Sequence, residues 1–224
     1  MHRHWLFPPT IAALLTSPIA RADSPAESPG PFAVTLDGHI LAMFNQTCRS
    51  TSSDTVECSS GTSWAGLHLA PRWRASDTLS LGLLGALAWR PATQGTLSSD
   101  GSSTSFNQRM WRLSAEARGY PFTPDGWQPW LALEAGVASL RDSITYTGYP
   151  GLSDSAVSQT GPVGALAIGV DFLFAPPFAG GLELRGMVIP LGKQPPDLGT
   201  SAQQATAYGT LIGASLGLNL TFQP

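Results

Sequence analysis

Charged side chains at alternating positions are the residues of this sequence best suited to act together chemically. Five arginines and five carboxylates fall on the polar faces of stretches in which apolar and polar residues alternate. They are Arg72, Arg74, Arg112, Arg118 and Arg185, with Asp37, Glu116, Glu134, Asp171 and Glu183. These groups are expected to pair if they are buried, because an unpaired buried charge costs several kcal/mol. The pattern predicts an internal charge network, which forms either a packed polar plug or the lining of a narrow polar pore.

Two histidines, His39 and His68, share the polar face of the first two stretches. A catalytic site would combine one of them with a serine nucleophile or a carboxylate, and no nucleophile spacing accompanies them. Hydrogen bonds to Asp37 or Asn45 would account for them without catalysis. The G-x-S-x-G pattern at 213–217 lies within an alternating stretch, whereas a nucleophile elbow needs a strand, a turn and a helix. The sequence therefore predicts no catalytic residue, no metal ligand and no cofactor.

The two cysteines, Cys48 and Cys58, lie in a long polar gap with nine residues between them. A metal site would need further ligands, and the segment between them offers Asp54 and Glu57. In an exported protein a cysteine pair at this spacing favours a disulfide that closes a small loop. We therefore predict a Cys48–Cys58 disulfide.

The amino terminus has the features of an export signal. Arg3 precedes a mostly apolar run at 5–19, and the small residues Ala20 and Ala22 flank a cleavage-site pattern. The apolar run is too short and too rich in proline to span about 30 Å of hydrocarbon. The predicted organisation is a signal peptide at 1–22, a flexible tether at 23–31 and one β-barrel domain at 32–224.

The composition excludes two classes of protein. Charged residues make up 12% of the chain, where a soluble domain has about 25%. Acidic residues outnumber basic ones, and Lys193 is the single lysine, so a nucleic-acid-binding surface is not expected. After the signal, no run of about 18 apolar residues lacks a charge or a strong alternation, which excludes a helical membrane protein.

Eight stretches of alternating hydrophobicity follow the tether, joined by gaps that are alternately long and short. The long gaps are rich in Ser, Gly and Thr, and the short ones carry Pro, Asp and Gly. This rhythm predicts an all-β fold, an eight-stranded antiparallel up-and-down transmembrane β-barrel with long loops at one end and short turns at the other. The predicted strands cover 32–46, 63–75, 78–91, 106–121, 128–145, 161–175, 179–191 and 205–222.

Face composition favours a membrane barrel over a soluble one. The apolar faces of several stretches carry no charge over many consecutive positions, and the charged faces also carry Gly and Ala, which suit a crowded interior better than water. The residues expected to face lipid include Leu81, Leu83, Leu113, Leu133, Ile168, Val170, Leu184 and Leu218. Five tryptophans lie near strand ends or in a turn, as interfacial belts would require: Trp73, Trp89, Trp111, Trp127 and Trp130.

In this architecture the chain resembles the small eight-stranded outer-membrane barrels of Gram-negative bacteria, the OmpA/OmpX-like barrel domains. The resemblance covers about 32–222 and rests on the signal peptide, the amphipathic strands and the alternating loop lengths; no short diagnostic motif is matched. Such proteins usually end on an aromatic residue, whereas here Phe222 is followed by Gln223 and Pro224. The resemblance implies an outer-membrane location, contact with outer-membrane lipid and lipopolysaccharide, and assembly by the barrel-insertion machinery.

The sequence predicts a monomeric integral outer-membrane protein with a structural or surface-exposed role and no catalysis. Three alternatives stay open at this stage. The first is a narrow outer-membrane channel for small polar solutes, the second is an outer-membrane lipid-modifying enzyme, and the third is a soluble exported lipid-binding barrel.

Overall fold

Eight long strands close into one antiparallel barrel. The computed structural model describes residues 31–44, 47–50, 56–59, 62–94, 103–122, 126–147, 155–175, 177–191 and 210–224. The barrel strands are β1 (Phe32–Met43), β4 (Thr62–Ser76), β5 (Leu79–Gln94), β6 (Ser103–Gly119), β7 (Trp127–Thr147), β8 (Ser155–Ala175), β9 (Phe178–Pro190) and β10 (Thr210–Phe222), and the short strands β2 (Thr47–Ser50) and β3 (Val56–Ser59) form a separate hairpin. The predicted eight-stranded up-and-down barrel is confirmed.

Closure joins the first strand to the last. β1 pairs with β10 from Val34, opposite Phe222, to Met43, opposite Gly213, and on its other edge β1 pairs with β4. Every other barrel strand pairs with its neighbours in the chain. Among the eight barrel strands no edge is left open, which hydrocarbon requires because it offers no partner for an exposed peptide group.

The strand ends differ by a few residues from the sequence prediction. The first strand ends at Met43 instead of 46. The last is described from Thr210, and the predicted start at 205 lies outside the described residues. β8 begins at Ser155, which pairs with Ile144 of β7, and β7 continues to Thr147, which pairs with Ser103 of β6. Face alternation does not specify these ends, which depend on how far the partner strand continues.

The turn between β6 and β7 ends on Gly126, whose φ of 83° lies in the left-handed region. A glycine adopts this conformation without the Cβ clash that other residues meet. The short gap predicted between the strands at 106–121 and 128–145 therefore contains a glycine where the backbone requires one, while 123–125 lie outside the described residues.

The β2–β3 hairpin occupies the first long gap, which the sequence predicted as a loop. Its register places Cys48 directly opposite Cys58. Directly opposed Cα atoms in an antiparallel pair lie about 4.5–5.5 Å apart, and disulfides span about 4.4–6.8 Å between Cα atoms. The backbone therefore permits the bond. The cysteine side chains lie outside the described residues, so the disulfide stays a prediction.

The exterior of the barrel is apolar. Leu83, Leu133 and Leu218 expose 59%, 62% and 69% of their surface and belong to a contiguous apolar band. Soluble proteins rarely expose a contiguous apolar surface of this kind. The other leucines and Ile168 that were predicted to face lipid are also exposed, and Val170 is half-exposed. The face prediction is confirmed, and the soluble lipid-binding barrel, whose apolar face would line the interior, is excluded.

Aromatic side chains gather near both ends of this band. Phe32 and Trp73 are opposite each other near the short turns, where Phe178 also stacks on Phe222 with ring centroids 5.4 Å apart. Trp89 and Trp111 are exposed toward the other end. Interfacial belts have this composition. Trp130 departs from the prediction, because its side chain is 3% exposed and points into the barrel.

Among the described residues, no helix is long and apolar enough to cross a membrane. The predicted signal peptide at 1–22 lies outside the described residues, as does the tether at 23–31 except for Pro31.

Candidate functional site

Nearly all of the predicted charge network lies buried inside the barrel. The side chains of Arg72, Arg112, Arg118 and Arg185 are 1–3% exposed, and those of the five predicted carboxylates are 0–3% exposed. They reach the interior because the two-residue period of a strand sends alternate side chains to the same face. The interior of an eight-stranded barrel is only wide enough to be filled by side chains.

Arg185 on β9 connects three glutamates. Its Nη2 donates to Glu116 Oε2 at 3.0 Å, its Nε donates to Glu183 Oε1 at 2.7 Å, and its Nη1 donates to Glu134. These carboxylates come from β6, β9 and β7. Each guanidinium N–H that bonds to a carboxylate lowers the cost of burying both groups. Arg185 therefore ties strands on different sides of the lumen.

Arg118 shares Glu116 and Glu183 with Arg185 and also contacts an aromatic ring. Its nitrogens lie 3.3 Å from Glu116, 3.6 Å from Asp171 and 3.9 Å from Glu183. Its guanidinium carbon lies 3.5 Å from the centroid of the Trp130 ring. A desolvated cation on an indole face gains about 2 kcal/mol. Trp130 alternates with the exposed Leu131 and shares the inward face of Glu134, so the strand period directs its ring into the lumen, where it meets Arg118.

The two remaining arginines of the network each pair with a carboxylate. Arg72 donates from Nη1 to Glu116 at 3.2 Å and from Nη2 to Thr35. Arg112 Nε lies 3.1 Å from Glu134, and its Nη1 also contacts the Met187 sulfur at 3.5 Å. The four buried arginines and the five predicted carboxylates are called the charged layer of the lumen. Arg112 lies at the edge of this layer, where the apolar side chain of Met187 begins another.

Inward-facing glycines provide the volume for these large side chains. A Cβ on Gly82 would collide with Arg72, one on Gly181 with the Asp171 carboxylate, and one on Gly169 with the Trp130 ring. Small residues on the polar faces were expected from the sequence to suit a crowded interior. In the structure these three glycines lie against large inward-facing side chains of neighbouring strands.

Arg74 departs from the predicted network. No ion pair joins it to a carboxylate within the described residues. It is half-buried at the turn end of the barrel, where it donates to the backbone oxygen of Asp77 at 3.0 Å and lies 5.0 Å from the Tyr120 ring centroid. A cavity of about 10 Å³, room for one water molecule, lies beside it between Ser80 and Gln223. Arg74 contributes to the mouth of the lumen and not to its charged layer.

The two histidines meet at Asp37, as the sequence analysis suggested for His39. His39 Nδ1 lies 3.1 Å from Asp37 Oδ1, and His68 Nδ1 lies 3.4 Å from the same oxygen. The two imidazole centroids are 5.6 Å apart. Asp37, His39 and His68 are 0%, 8% and 3% exposed. This group lies on the adjacent strands β1 and β4.

A second, apolar layer fills the lumen on the side of the long loops. It comprises Leu41, Met43, Trp64, Ala88, Met110, Ala138, Leu140, Val163, Ala165, Met187, Ile189, Leu191 and Leu211, each 0–7% exposed. This layer was not predicted from the sequence. The feature that could have indicated it is the loss of alternation at the strand ends, where apolar residues occupy both faces, as in 40–44 and 211–212.

Polar groups return beyond the apolar layer. Gln108 Nε2 donates to Asp142 Oδ1 at 2.9 Å, and Arg90 Nη1 donates to Gln108 Oε1 at 3.1 Å. The lumen thus alternates between a charged layer, an apolar layer and a polar rim.

The G-x-S-x-G pattern lies within β10, with Ser215 buried and 5% exposed. The strand continues through it without the turn and helix of a nucleophile elbow. Ser215 is therefore a wall residue of the barrel.

Comparison with known proteins identifies the fold. No protein-family model and no curated protein matches the chain. Among solved structures, Neisserial surface protein A (NspA) covers 88% of this chain and 100% of its own, with 16% identity and a TM-score of 0.55. The chain has the fold of a small outer-membrane β-barrel. With its apolar wall, this fold is that of a protein of the Gram-negative outer membrane.

Two further solved structures are more distant. Ail, the attachment invasion locus protein of Yersinia pestis, covers 86% of this chain and 99% of its own, with 12% identity and a TM-score of 0.44. The outer membrane protease OmpT from Escherichia coli covers 89% of this chain and 99% of its own, with 8% identity and a TM-score of 0.44. A shared fold does not determine a shared function.

Proposed function

We propose that this protein is a structural, non-conducting barrel of the outer membrane that holds its long loops at the cell surface. The observation that carries the proposal is the layered filling of the lumen. Arg185 and its three glutamates span the charged layer, and Leu41, Met187 and their neighbours fill the apolar layer. Both layers consist of side chains that are almost completely buried.

A narrow channel for small polar solutes is less well supported. Pores of barrels this small would need a continuous polar path, and a hydrophobic constriction blocks ions by excluding water. The apolar layer is such a constriction. The charged layer offers no free guanidinium for a passing anion, because Arg72, Arg112, Arg118 and Arg185 each lie within 4.0 Å of a carboxylate.

A lipid-modifying enzyme is also less well supported. Catalysis needs a nucleophile or general base that substrate can reach. His39 and His68 are buried in the charged layer, and Ser215 is a wall residue on another strand. The burial of these side chains argues against access by a lipid that moves along the exterior.

Planar-bilayer recording tests the proposal. The wild type should show no stable open-channel steps. Met187→Ser places a hydroxyl in the apolar layer and should increase ion leakage, because a polar group favours water there. Val188→Ser is the matched control, since Val188 is the neighbouring residue on the lipid face and is 43% exposed. Large, stable conductance from the wild type would overturn the proposal in favour of the channel.

Lipid contact is part of the proposed role. Arg109 and Arg141 lie directly opposite each other on β6 and β7, and both are exposed on the exterior. On β6, Arg109 is the next outward-facing residue after Trp111 in the direction of the long loops. Like charges in this position repel unless an anion lies between them. We expect them to bind phosphate groups of lipopolysaccharide. Arg109→Ala should weaken lipopolysaccharide binding in a native-gel assay, whereas Arg90→Ala, which removes an arginine bonded to Gln108, should not.

The barrel-insertion machinery is a further proposed partner, and a monomeric state belongs to the same proposal. The last barrel strand, β10, ends on Phe222, which is 40% exposed, and an aromatic residue at the end of this strand suits reading by that machinery. A closed barrel has no edge strand through which copies could associate, so we expect a monomer. No nucleic acid partner is expected from a chain with an acidic excess.

A further inference from the structure

The charged layer contains one carboxylate that no arginine neutralises. Glu116, Glu134, Asp171 and Glu183 each have an arginine nitrogen within 4.0 Å. Among the described residues, the ionisable groups within that distance of Asp37 are His39 and His68 alone. The four buried arginines of the layer therefore match four carboxylates, and Asp37 adds a fifth negative charge. Asp37 is 0% exposed, so water cannot solvate it.

The three side chains present their ligand atoms to a common point. One nitrogen of each histidine and one Asp37 oxygen all lie within 4.8 Å of one another. The two nitrogen–oxygen distances at Asp37 Oδ1 are 3.1 and 3.4 Å. Ligands bound at 2.0–2.1 Å in a tetrahedron stand about 3.3 Å apart. The spacing of these atoms therefore matches two edges of a tetrahedral site.

Neighbouring backbone positions leave room for this arrangement. A Cβ at position 66 would overlap the imidazole of His39, and a Cβ at position 217 would overlap the carboxylate of Asp37. Gly66 and Gly217 face these side chains from β4 and β10. Both sides of the group thus depend on residues without a side chain.

Three buried polar atoms in and beside the group could act as ligands or support them. Asp37 Oδ2, His68 Nε2 and Glu183 Oε2 are buried and make no hydrogen bond in the structure. His68 Nε2 lies 4.0 Å from Glu183 Oε2. A histidine that binds a metal through one nitrogen commonly donates its other N–H to a carboxylate, which fixes the ring. Glu183 is the nearest carboxylate to that nitrogen, and it would have to approach by about 1 Å to accept the N–H if His68 binds a metal through Nδ1.

We propose that Asp37, His39 and His68 bind a divalent transition-metal ion of the zinc class inside the lumen. Two imidazoles and one carboxylate are ligands that Zn²⁺ and Co²⁺ accept. The ion would compensate the Asp37 charge and would link β1 to β4 at the level of the charged layer. Because the site is enclosed, the metal would enter while the barrel folds and not through the finished lumen. Its role would be to hold β1 against β4, and a fourth ligand besides these three would complete the tetrahedron.

Refolding the mature, untagged chain into detergent micelles with Co²⁺ tests the proposal. The chain without residues 1–22 contains His39 and His68 as its only histidines, so a histidine tag must be avoided. The cysteines should be replaced by Cys48→Ser and Cys58→Ser to remove their thiols. We expect about one Co²⁺ per folded barrel after dialysis, with the visible absorption of a tetrahedral ion and displacement by Zn²⁺.

Four variants locate the site. His39→Asn and His68→Asn should each weaken binding by about tenfold or more, which is the loss that even an outer-shell partner causes. Gly66→Ala keeps all three ligands but displaces the His39 ring, and should also weaken binding. Ser114→Ala alters a buried lumen residue on β6 and should bind like the parent. The heat-induced gel shift of folded barrels shows that each variant has folded.

Two results would overturn the proposal. The first is a folded parent protein that retains no Co²⁺ or Zn²⁺, which would leave a protonated imidazole as the counter-charge of Asp37. The second is metal binding that both histidine variants retain. Neither result bears on conductance, so the proposed non-conducting role is tested separately.

Discussion

Arg185 Nη2 donates a hydrogen bond to Glu116 Oε2 at 3.0 Å and so joins β9 to β6, two strands that are not neighbours in the barrel. The residues are 69 positions apart in sequence. Backbone hydrogen bonds hold each strand to its two neighbours, whereas this contact crosses the lumen. Side chains of the charged layer therefore brace the barrel from within.

Glu116→Gln should destabilise the barrel more than any single change at the mouth of the lumen. Glu116 accepts from Arg72 and Arg185 and lies 3.3 Å from Arg118. Removing one partner of a buried ion pair costs about 3–5 kcal/mol, because the other charges stay buried. Urea unfolding in lipid vesicles measures the loss. Glu57→Gln in the β2–β3 hairpin is the control, and equal losses in both variants would show that the network contributes nothing specific.

The sequence predicted which residues face the lumen but not how they meet there. The two-residue period assigns Arg185 and Glu116 to the interior from local pattern alone. Their contact depends on the stagger of eight strands around the closed barrel, which no local pattern contains. For the same reason Arg74 could not be separated from Arg72 in advance, although one lies at the mouth and the other in the charged layer.

The apolar layer was missed for a different reason. The membrane interpretation assigns apolar residues to lipid, and Leu41, Met187 and Leu211 are apolar residues on the other face. At the loop end of the lumen, side chains pack against each other as in a soluble core, so hydrophobicity no longer distinguishes inside from outside. Trp130, by contrast, could have been assigned correctly from the sequence, because it shares the inward face of Glu134 on β7. Only its contact with Arg118 depends on the folded barrel.

Two glycines on β5 provide a matched pair of substitutions. A Cβ at Gly82 would collide with the Arg72 side chain and approach the Pro71 backbone oxygen, whereas a Cβ at Gly85 meets nothing within 4 Å. Gly82→Ala should destabilise the barrel by about 1–3 kcal/mol through overpacking. Gly85→Ala should be neutral or stabilise by about 0.4–1 kcal/mol, because alanine has less freedom in the unfolded chain. Urea unfolding of both variants provides the comparison, and a similar effect at the two positions would contradict the assigned faces.

The hairpin register gives the cysteine prediction a structural basis. Cys48 and Cys58 are opposed in β2 and β3. In exported, unreduced protein, alkylation followed by mass spectrometry should find no labelled thiol. Reduction should lower the unfolding free energy by about 2–4 kcal/mol at most, since the closed loop is short and lies outside the barrel wall. Modification of both thiols before reduction would disprove the bond.

The depth of an exterior residue should set the cost of a charge placed there. Leu133 lies midway along the apolar wall, opposite Ala117 and Leu166 on its two neighbouring strands, and is 62% exposed. Leu79 follows the short turn after β4 and is 38% exposed. An arginine at the bilayer midplane costs about 2–4 kcal/mol, and one near the interface costs about 0–1 kcal/mol. Leu133→Arg should therefore lower the unfolding free energy in vesicles clearly more than Leu79→Arg.

Both variants should be equally tolerated in detergent micelles, where the acyl chains adapt around the charge, so the difference between the two media isolates the contribution of the bilayer. Equal losses at both positions in vesicles would mean that the apolar wall does not face hydrocarbon at the depth assigned to it.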